Sequence, residues 1–281
     1  MKYNELKSKL EKLFSTSGIT ETADIDWIMV EVLGVKRSML PLLYEISESD
    51  AQKIMEIAEK RAKHIPLAYI TRKANFYGYD FIVDENVLIP RQDTEVLVEN
   101  AISAVRQLQE DGKKAKVLDI GTGSGAISIT IALETGAECM AADVSEKALE
   151  IAKQNAKKLN ADVKFIKSDL FENIMNLKVD LIVSNPPYIK TGVIENLEPE
   201  VALNEPILAL DGGDDGLIFY KRIIAEAKNH LNKNGKLYFE IGYDQAKEVE
   251  ELMQEDFKDI NVVKDYGNND RVVYGTLKEN L

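Results

Sequence analysis

Cysteine and histidine are scarce in this sequence. Cys139 is the single cysteine of 281 residues, which excludes a disulfide within the chain and suits a reducing compartment such as the cytoplasm. The two histidines, His64 and His230, lie far apart and show no metal-ligand spacing. We therefore expect neither a zinc site nor a Ser/His/Asp triad, and no metal in the reaction.

Long apolar runs and an excess of basic residues are also missing. No run approaches the roughly 18 apolar residues that cross a bilayer, and the charged start MKYNELKSKLEKLF is unlike a signal peptide, so we expect no membrane partner. The net charge is −13. Residues 1–72 carry 11 basic and 11 acidic side chains, and the remainder carries 24 basic against 37 acidic. Nucleic-acid binders usually present a basic surface, so this distribution argues against a direct nucleic-acid partner.

Residues 1–72 predict an N-terminal all-α helical bundle domain. Apolar residues recur there at helical spacing, and we expect Trp27 to lie in the core or at a helix contact. The repeating residues are Leu6, Leu10, Leu13 and Phe14, and then Ile25, Ile28, Met29, Val32 and Leu33. Residues 73–92 follow as a predicted β-hairpin linker, rich in aromatic and β-branched residues, with its turn at Asp-Glu-Asn, residues 84–86.

Residues 93–281 alternate between strand and helix patterns. Such alternation predicts an α/β domain with a doubly wound, mostly parallel, Rossmann-like sheet covered by helices. The seven predicted strands are KVLDIG, AECMAAD, VKFIKSD, VDLIVSN, GKLYFEIG, INVVKDY and RVVYGTL.

A glycine-rich loop, DIGTGSG, follows the first strand of this α/β part. Its G-x-G-x-G spacing differs from the G-x-G-x-x-G of dinucleotide pyrophosphate sites, and an acid precedes it. Asp143 ends the next strand, where an acid can accept both ribose hydroxyls of an adenosine. The two acids suit a nucleoside with a cationic tail, such as S-adenosyl-L-methionine. The predicted loop contacts are Asp119, Gly121, Thr122, Gly123, Ser124 and Gly125.

The third strand of the α/β part ends in SDLF. We expect Asp169 to bond an adenine amino group and Leu170 to lie against the ring, although an ordinary strand-ending aspartate is an equal alternative.

The sequence NPPY, residues 185–188, ends the fourth strand. Ligands of doubly wound sheets bind outside the carboxyl ends of the strands. The side chain of Asn185 and the carbonyl of Pro186 are two acceptors that can hold an NH₂ group, and Tyr188 offers a flat face for stacking. Pro187 stiffens the segment. The motif therefore predicts a clamp for a planar amide or base.

This residue set resembles the class I S-adenosyl-L-methionine-dependent methyltransferases that act on planar NH₂ nitrogens. FYGYDFIVDENVLIPRQDTEVLVE, DIDWIMVEVLG, EPILALDGGDDGL and DYGNNDRVVYG are similar to segments of the peptide chain release factor N5-glutamine methyltransferases, the PrmC/HemK family. The resemblance extends over nearly the whole chain. Gln92 and Asp93 stand where that family usually has proline and glutamate, while Arg91, Thr94 and Glu95 match it.

The resemblance implies a seven-stranded methyltransferase sheet and methyl transfer to the glutamine of a Gly-Gly-Gln motif in release factors, with S-adenosyl-L-homocysteine as the product. It implies a release factor as protein partner, substrate contacts at Arg91 and Glu205, a helical domain that recognises the substrate, and a cytoplasmic monomer. Asn185, Pro186 and Tyr188 are the predicted catalytic residues, and Asn185 also borders the cofactor.

Other functions remain open at this stage. A methyltransferase acting on adenine or cytosine in DNA or RNA would use the same clamp. A dinucleotide oxidoreductase would use the glycine loop but has no need of NPPY. A non-catalytic interaction protein would need neither motif.

Overall fold

The structure is a computed structural model that describes residues 1–110, 112 and 114–279. Residues 111, 113, 280 and 281 of the predicted domain 93–281 therefore lie outside the described residues. The helices are α1 (Tyr3–Thr16), α2 (Ala23–Leu33), α3 (Glu48–Arg61), α4 (Leu67–Thr71), α5 (Asp93–Gln109), α6 (Ala126–Thr135), α7 (Glu146–Leu159), α8 (Pro199–Asn204), α9 (Ile218–Ala227) and α10 (Ala246–Met253). The strands are β1 (Ala74–Phe76), β2 (Tyr79–Phe81), β3 (Lys116–Ile120), β4 (Glu138–Asp143), β5 (Val163–Lys167), β6 (Val179–Ser184), β7 (Leu231–Glu240), β8 (Phe257–Lys264) and β9 (Asp270–Leu277). Short 3-10 helices cover Arg37–Leu42, Thr191–Asn196 and Ile207–Ala209.

The chain folds into two compact units. The helical unit comprises Met1–Lys73 together with Glu198–Asn204. The sheet unit comprises Ala74–Leu197 and the chain from Glu205 onward. The short return of the chain into the helical unit was not visible in the apolar pattern, because a single turn of helix carries too few residues to show a period.

The helical unit is built from the predicted apolar repeats. Leu6, Leu10 and Phe14 are buried in one core with residues of α2 and α3, which confirms their helical spacing. Trp27 is different: 49% of it is exposed, and the guanidinium of Arg37 lies 5.4 Å from its ring centre. Trp27 therefore does not lie in the core, the first of the two predicted places, and its contact with Arg37 is made at the surface with the 3-10 helix Arg37–Leu42.

A buried arginine ties the returning segment into the helical unit. Arg61 is 1% exposed, and its Nε donates to Asp24 at 2.7 Å while its Nη2 bonds to Glu200 on α8. Asn204 Nδ2 donates to the carbonyl of His64 at 3.0 Å. These contacts neutralise a charge that would be costly to bury alone.

The linker is a hairpin, but a shorter one than predicted. Strands β1 and β2 pair antiparallel and are joined by Tyr77 and Gly78, whose φ angles of 52° and 79° match a two-residue type I′ turn. The predicted turn at residues 84–86 is thus in the wrong place. Those residues do form a local turn, in which Asp84 Oδ1 accepts a hydrogen bond from Asn86 N at 3.0 Å, but no strand returns from it.

The sheet unit contains a seven-stranded sheet in the order β5-β4-β3-β6-β7-β9-β8. Strands β3 to β7 run parallel and β9 runs antiparallel to both β7 and β8. Neighbouring residues of a strand face opposite sides, so Val117 and Leu118 of β3 enter separate cores. Helices therefore cover both faces, which confirms the predicted doubly wound sheet. The strand order reverses between β3 and β6, which is where such sheets bind ligands.

Candidate active site

A cavity of about 250 Å³ opens at the carboxyl ends of β3, β4, β5 and β6. It lies wholly within the sheet unit. The predicted site residues that line it are Arg91, Gly121, Thr122, Gly123, Ser124, Asp143, Asp169, Leu170, Asn185, Pro186 and Pro187. Four predicted residues do not line it, namely Asp119, Gly125, Tyr188 and Glu205.

The glycine loop forms the wall of the cavity nearest β3. Its backbone is anchored to β4, since Gly121 N and Thr122 N both donate to the carbonyl of Ala142, at 2.9 and 3.0 Å. At Gly123 an added Cβ atom would meet no other atom within 4 Å, so the loop leaves open space where a ligand can approach its backbone.

Asp119 lies beneath the loop and is fully buried. Its Oδ2 accepts hydrogen bonds from Thr122 Oγ1 at 2.5 Å and from Ser128 N at 3.2 Å, while Oδ1 has no partner among the described residues. Burial raises the pKa of Asp119 to about 6, although the bonds from Thr122 and Ser128 lower it. In this position the carboxylate organises the loop from behind.

Asp143 borders the cavity at the end of β4. Its two carboxylate oxygens accept from Gly123 N and Ser145 N, each at 2.8 Å. Burial raises the pKa of Asp143, and these backbone bonds lower it. Each oxygen keeps lone pairs for further donors, so the carboxylate can still accept hydroxyl groups from a ligand.

Asp169 and Leu170 meet helix α9 on the other side of the cavity. Arg222 Nη2 lies 2.9 Å from Asp169 Oδ2, in a half-exposed ion pair. Phe219 and Ile223 of α9 also line the cavity. Sequence reasoning missed these two apolar residues as site residues, although their spacing of four places them on one face of a helix.

The NPPY segment follows β6 directly, and its first three residues reach the cavity. Asn185 Nδ2 donates to Thr94 Oγ1 at 3.3 Å. Asn185 Oδ1 accepts no hydrogen bond from the residues that the structure describes. An amide oxygen at the cavity wall is therefore left available for a donor on a ligand.

Tyr188 turns away from the cavity and packs against the apolar core. Its hydroxyl lies 3.5 Å from Glu240 Oε1, at the long limit of a hydrogen bond, and its carbonyl accepts from Gln245 Nε2 at 3.1 Å. Burial raises the pKa of the Tyr188 phenol. A stacking role for this ring stays a prediction.

Glu240 ends β7 and is 1% exposed. Burial raises its pKa to about 7, while hydrogen bonding from Thr94 and Tyr188 and the charge of Arg271 lower it. Sequence reasoning missed Glu240 and Thr94 as parts of the site. The pattern FEIG identified a strand but gave no reason to place its acid beside Tyr188.

Arg91 and Glu205 form an ion pair through Arg91 Nη2 and Glu205 Oε1. Arg91 lines the cavity, whereas the Glu205 side chain is buried behind it.

Asp93, at the start of α5, lies 3.3 Å from Arg271 Nη2. The helix dipole stabilises an acidic side chain in the first turn of a helix. Asp93 therefore suits the position at which the resembling family has glutamate.

Among the residues that the structure describes, no group of three or more His, Cys, Asp or Glu side chains could hold a metal ion. Within the same residues no helix is both long and apolar enough to cross a membrane.

Family models and relatives match most of the chain. A model described as methyltransferase small domain matches residues 94–198, and one described as PrmC N-terminal domain matches residues 5–71. A Fusobacterium nucleatum protein named release factor glutamine methyltransferase is 46% identical over 258 residues, covering 89% of this chain and 72% of that protein. A Bacillus cereus protein of the same name is 39% identical, covering 89% of this chain and 91% of that protein.

Solved structures match the fold at lower identity. The crystal structure of a methyltransferase from Pyrococcus furiosus is 18% identical, with a TM-score of 0.51, and covers 72% of this chain and 90% of that one. This likeness shows that the sheet unit has a methyltransferase fold.

Proposed function

The chain belongs to the release factor glutamine methyltransferase family, and from that premise we propose the reaction that it catalyses. It transfers the methyl group of S-adenosyl-L-methionine to the side-chain amide nitrogen, N5, of the glutamine in the Gly-Gly-Gln motif of a peptide chain release factor. The product S-adenosyl-L-homocysteine leaves, and the methylated glutamine tunes translation termination.

One observation carries this proposal. The acceptors of the NPPY clamp, Asn185 and Pro186, line the same cavity as the glycine loop and Asp143. A methyl donor held by the loop and an amide held by the clamp would therefore share one space. Fixing two reactants in this way can lower the activation barrier by roughly 7–11 kcal/mol.

The residues present suit S-adenosyl-L-methionine. Open space above Gly123 admits a ligand against the loop, Asp143 can accept ribose hydroxyls, and Asp169 with Leu170 can border an adenine. Burial raises the pKa of Asp119, and a cation bound at the loop would stabilise its carboxylate, so the site favours a cationic ligand. When bound, the cofactor supplies an electrophilic methyl group on a sulfonium.

The clamp overcomes the weak nucleophilicity of an amide nitrogen. Asn185 Oδ1 and the Pro186 carbonyl would each accept a hydrogen bond from one N–H of the glutamine amide. The nitrogen lone pair would then point toward the methyl group. As the nitrogen gains positive charge, the same two oxygens stabilise that charge. The proton is then lost to solvent, so the chain needs no strong base.

We propose the remaining parts on the basis of the family resemblance. The partner is a release factor, which the helical domain recognises. Arg91 borders the substrate, and Glu205 acts from behind the cavity through its ion pair with Arg91. The enzyme acts as a cytoplasmic monomer and without a metal. Domain limits of 1–72, 73–92 and 93–281 are proposed for the recognition domain, linker and methyltransferase domain.

A labelled methyl donor tests the reaction directly. The protein is incubated with labelled S-adenosyl-L-methionine and a release factor, and the label is located by mass spectrometry. We expect label on the glutamine of the Gly-Gly-Gln loop and none on a release factor whose loop reads Gly-Gly-Ala. Label on DNA or RNA, offered in parallel, would instead identify a nucleic-acid methyltransferase.

Asn185→Ala tests the clamp. The variant should bind S-adenosyl-L-methionine nearly as tightly as the parent, because the loop and Asp143 are unchanged. Methyl transfer should fall at least about a hundredfold, since one of two charge-stabilising acceptors is lost. Calorimetry measures binding and the methylation assay measures turnover; unchanged turnover would remove Asn185 from the mechanism.

A further inference from the structure

Gln245, the residue before helix α10, joins the NPPY segment to two other parts of the sheet unit. Its Nε2 donates to the carbonyls of Tyr188 and Gly216, at 3.1 and 3.2 Å, and its Oε1 accepts from Gly242 N at 3.0 Å. The residue is 6% exposed, so water competes little for these bonds. Because the amide meets two acceptors on one side and a donor on the other, it fits in one orientation only.

The Asp-Gly loop, residues 211–216, packs against the same stretch of backbone. A Cβ atom added at Gly212 would lie 2.8 Å from both Pro187 O and Tyr188 Cα. One added at Gly216 would lie 2.5 Å from Tyr188 O. Atoms in ordinary contact lie about 3.5–4.0 Å apart, so the loop can come this close only because it carries glycine at both positions.

The backbone that follows the clamp also pairs with this loop. Ile189 N donates to the carbonyl of Leu210 at 3.0 Å, and Gly212 N donates to the carbonyl of Ile189 at 2.8 Å. Together with the bond from Gln245, these contacts fix the chain at residues 188 and 189.

The two prolines between β6 and Tyr188 depend on their neighbours for their position. Neither Pro186 nor Pro187 forms a hydrogen bond within the part of the chain that the structure describes. Their rings fix φ at roughly −65°, so only rotation about ψ can turn the Pro186 carbonyl. Since β6 holds one end of this stretch and Tyr188 is bonded at the other, the direction of that carbonyl depends on where Tyr188 is held.

We propose that Gln245 is a positioning residue for methyl transfer, which acts through the Tyr188 carbonyl and keeps the Pro186 carbonyl where the clamp needs it. Gly212 and Gly216 complete this support, because they let the Asp-Gly loop approach the clamp backbone. None of these three residues lines the cavity. The inference rests on the proposed function, since it assigns them to the same clamp.

Gln245→Met is the first test, because methionine has nearly the same length and shape but lacks the amide. The Tyr188 carbonyl then loses its partner, and the Pro186 carbonyl can turn away from the substrate amide. We expect kcat for release factor methylation to fall at least about tenfold, since a small misplacement of a group at the reacting centre is costly. The KM for the release factor and the Kd for S-adenosyl-L-methionine should each change less than about twofold, because the clamp stabilises charge that develops only in the transition state.

Gly212→Ala tests the same support without touching Gln245. Its methyl group would push on Pro187 O and Tyr188 Cα, so kcat should again fall at least about tenfold. Gly192→Ala is the matched control, since Gly192 is exposed and a Cβ atom there meets no atom within 4 Å. Neither glycine has a positive φ, so backbone strain does not enter the comparison. Gly192→Ala should leave kcat unchanged.

Two further measurements separate positioning from a loss of folded protein. Calorimetry counts the sites that bind S-adenosyl-L-methionine, and kcat is expressed per site, so unfolded molecules do not lower it. Gln245→Met is also combined with Asn185→Ala. Because groups of one clamp act as a unit, Gln245→Met should lower kcat by a smaller factor in the Asn185→Ala background than in the parent. Gln254→Met makes the same chemical change at an exposed side chain after α10 and should have no effect.

The outcomes separate this inference from the proposed function. A parent protein that methylates the release factor, together with Gln245→Met and Gly212→Ala variants that keep kcat per site within about twofold, would overturn the positioning role alone. An equal loss from Gln245→Met in the parent and Asn185→Ala backgrounds would overturn it too. Should Gln245→Met or Gly212→Ala not fold, Gln245→Asn, whose amide reaches one methylene less far, measures the same effect. A parent protein that does not methylate release factors would overturn the proposed function, and the inference with it.

Discussion

At the scale of single residues, the site separates groups that face the ligand from groups that hold those groups in place. Asn185 and Pro186 face the cavity, while Asp119 and Tyr188 lie behind it. Asp119 bonds the loop hydroxyl and backbone, and Tyr188 approaches Glu240. A residue in a ligand-binding motif can therefore support the site without touching the ligand.

The glycines of the loop also differ in this way: Gly123 faces the cavity, whereas Gly125 packs against the helices behind it. Gly123 and Gly125 both have positive φ, of 55° and 82°, so any side chain is strained at either position. A side chain at Gly125 would in addition lie 2.7 Å from Ile129 Cδ1 and 3.4 Å from Ala152 Cα. At Gly123 it would meet only the open cavity.

Alanine substitutions at the two glycines should therefore have different effects. We expect Gly125→Ala to lower the free energy of unfolding by about 2–4 kcal/mol, from strain and overpacking together. Gly123→Ala should cost about 1 kcal/mol of stability and mainly weaken S-adenosyl-L-methionine binding. Urea unfolding and calorimetry measure the two effects; equal stability losses would contradict this assignment.

At the scale of elements, helix α7 joins the linker to the glycine loop through one buried side chain. Asn155 Nδ2 donates to the carbonyls of Ile82 and Ser124, each at 2.9 Å, and Asn155 Oδ1 accepts from Ile82 N at 2.6 Å. The side-chain amide thus pairs with Ile82 as a neighbouring strand would. The hairpin is short because its continuation after Phe81 is held by this side chain instead of by another strand.

Asn155→Ala should lower the free energy of unfolding by about 2–4 kcal/mol, because it leaves three backbone groups without partners, the buried carbonyl of Ser124 and the partly buried N–H and carbonyl of Ile82. The amide hydrogen of Ile82 should also lose protection from exchange. Gln154→Ala, on the exposed face of the same helix, is the matched control and should change little. Unchanged exchange at Ile82 would show that Asn155 does not hold the linker.

At the scale of the whole molecule, the carboxyls of Asp119 and Glu240 are buried in the sheet unit and have raised pKa values. Burial raises the pKa of Asp119 from 3.8 to about 6 and that of Glu240 from 4.5 to about 7. A carboxyl that binds its proton more tightly when folded stabilises the fold below its unfolded pKa. That stabilisation is lost as the pH rises through the folded pKa.

The stability of the parent should therefore depend on pH through Glu240. A change from 4.5 to about 7 corresponds to roughly 3 kcal/mol. Between pH 4.5 and pH 8, the parent should lose about that much more unfolding free energy than Glu240→Gln, which cannot titrate. Urea unfolding across this range measures the difference, with Glu248→Gln on the exposed face of α10 as control. Parallel curves for parent and Glu240→Gln would refute the expectation.

The periodic and local features were predictable from the chain alone. Alternating strands and helices, the helical repeats around Leu10 and the glycine loop all depend on residues close in sequence. The ends of the elements were harder to predict from the chain. The hairpin turns at Tyr77 and Gly78 and not at Asp-Glu-Asn, because the apolar pattern continues past the point where the two strands separate. Trp27 likewise carries an apolar side chain that the fold leaves half exposed.

The fold class, the order of domains and the motifs at the strand ends could be predicted from the chain alone, because hydrogen bonding within helices and loops and the alternation of strands act over short stretches. Which remote residues support the motifs depends on how the chain folds. Thr94 and Asn185 are 91 residues apart, Ile82 and Asn155 are 73 apart, and Tyr188 and Glu240 are 52 apart. No local period relates such pairs. Tyr188 and Glu240 meet because the parallel strands β6 and β7 bring their carboxyl ends to one edge of the sheet, and the other two pairs meet through side chains of helices α5 and α7.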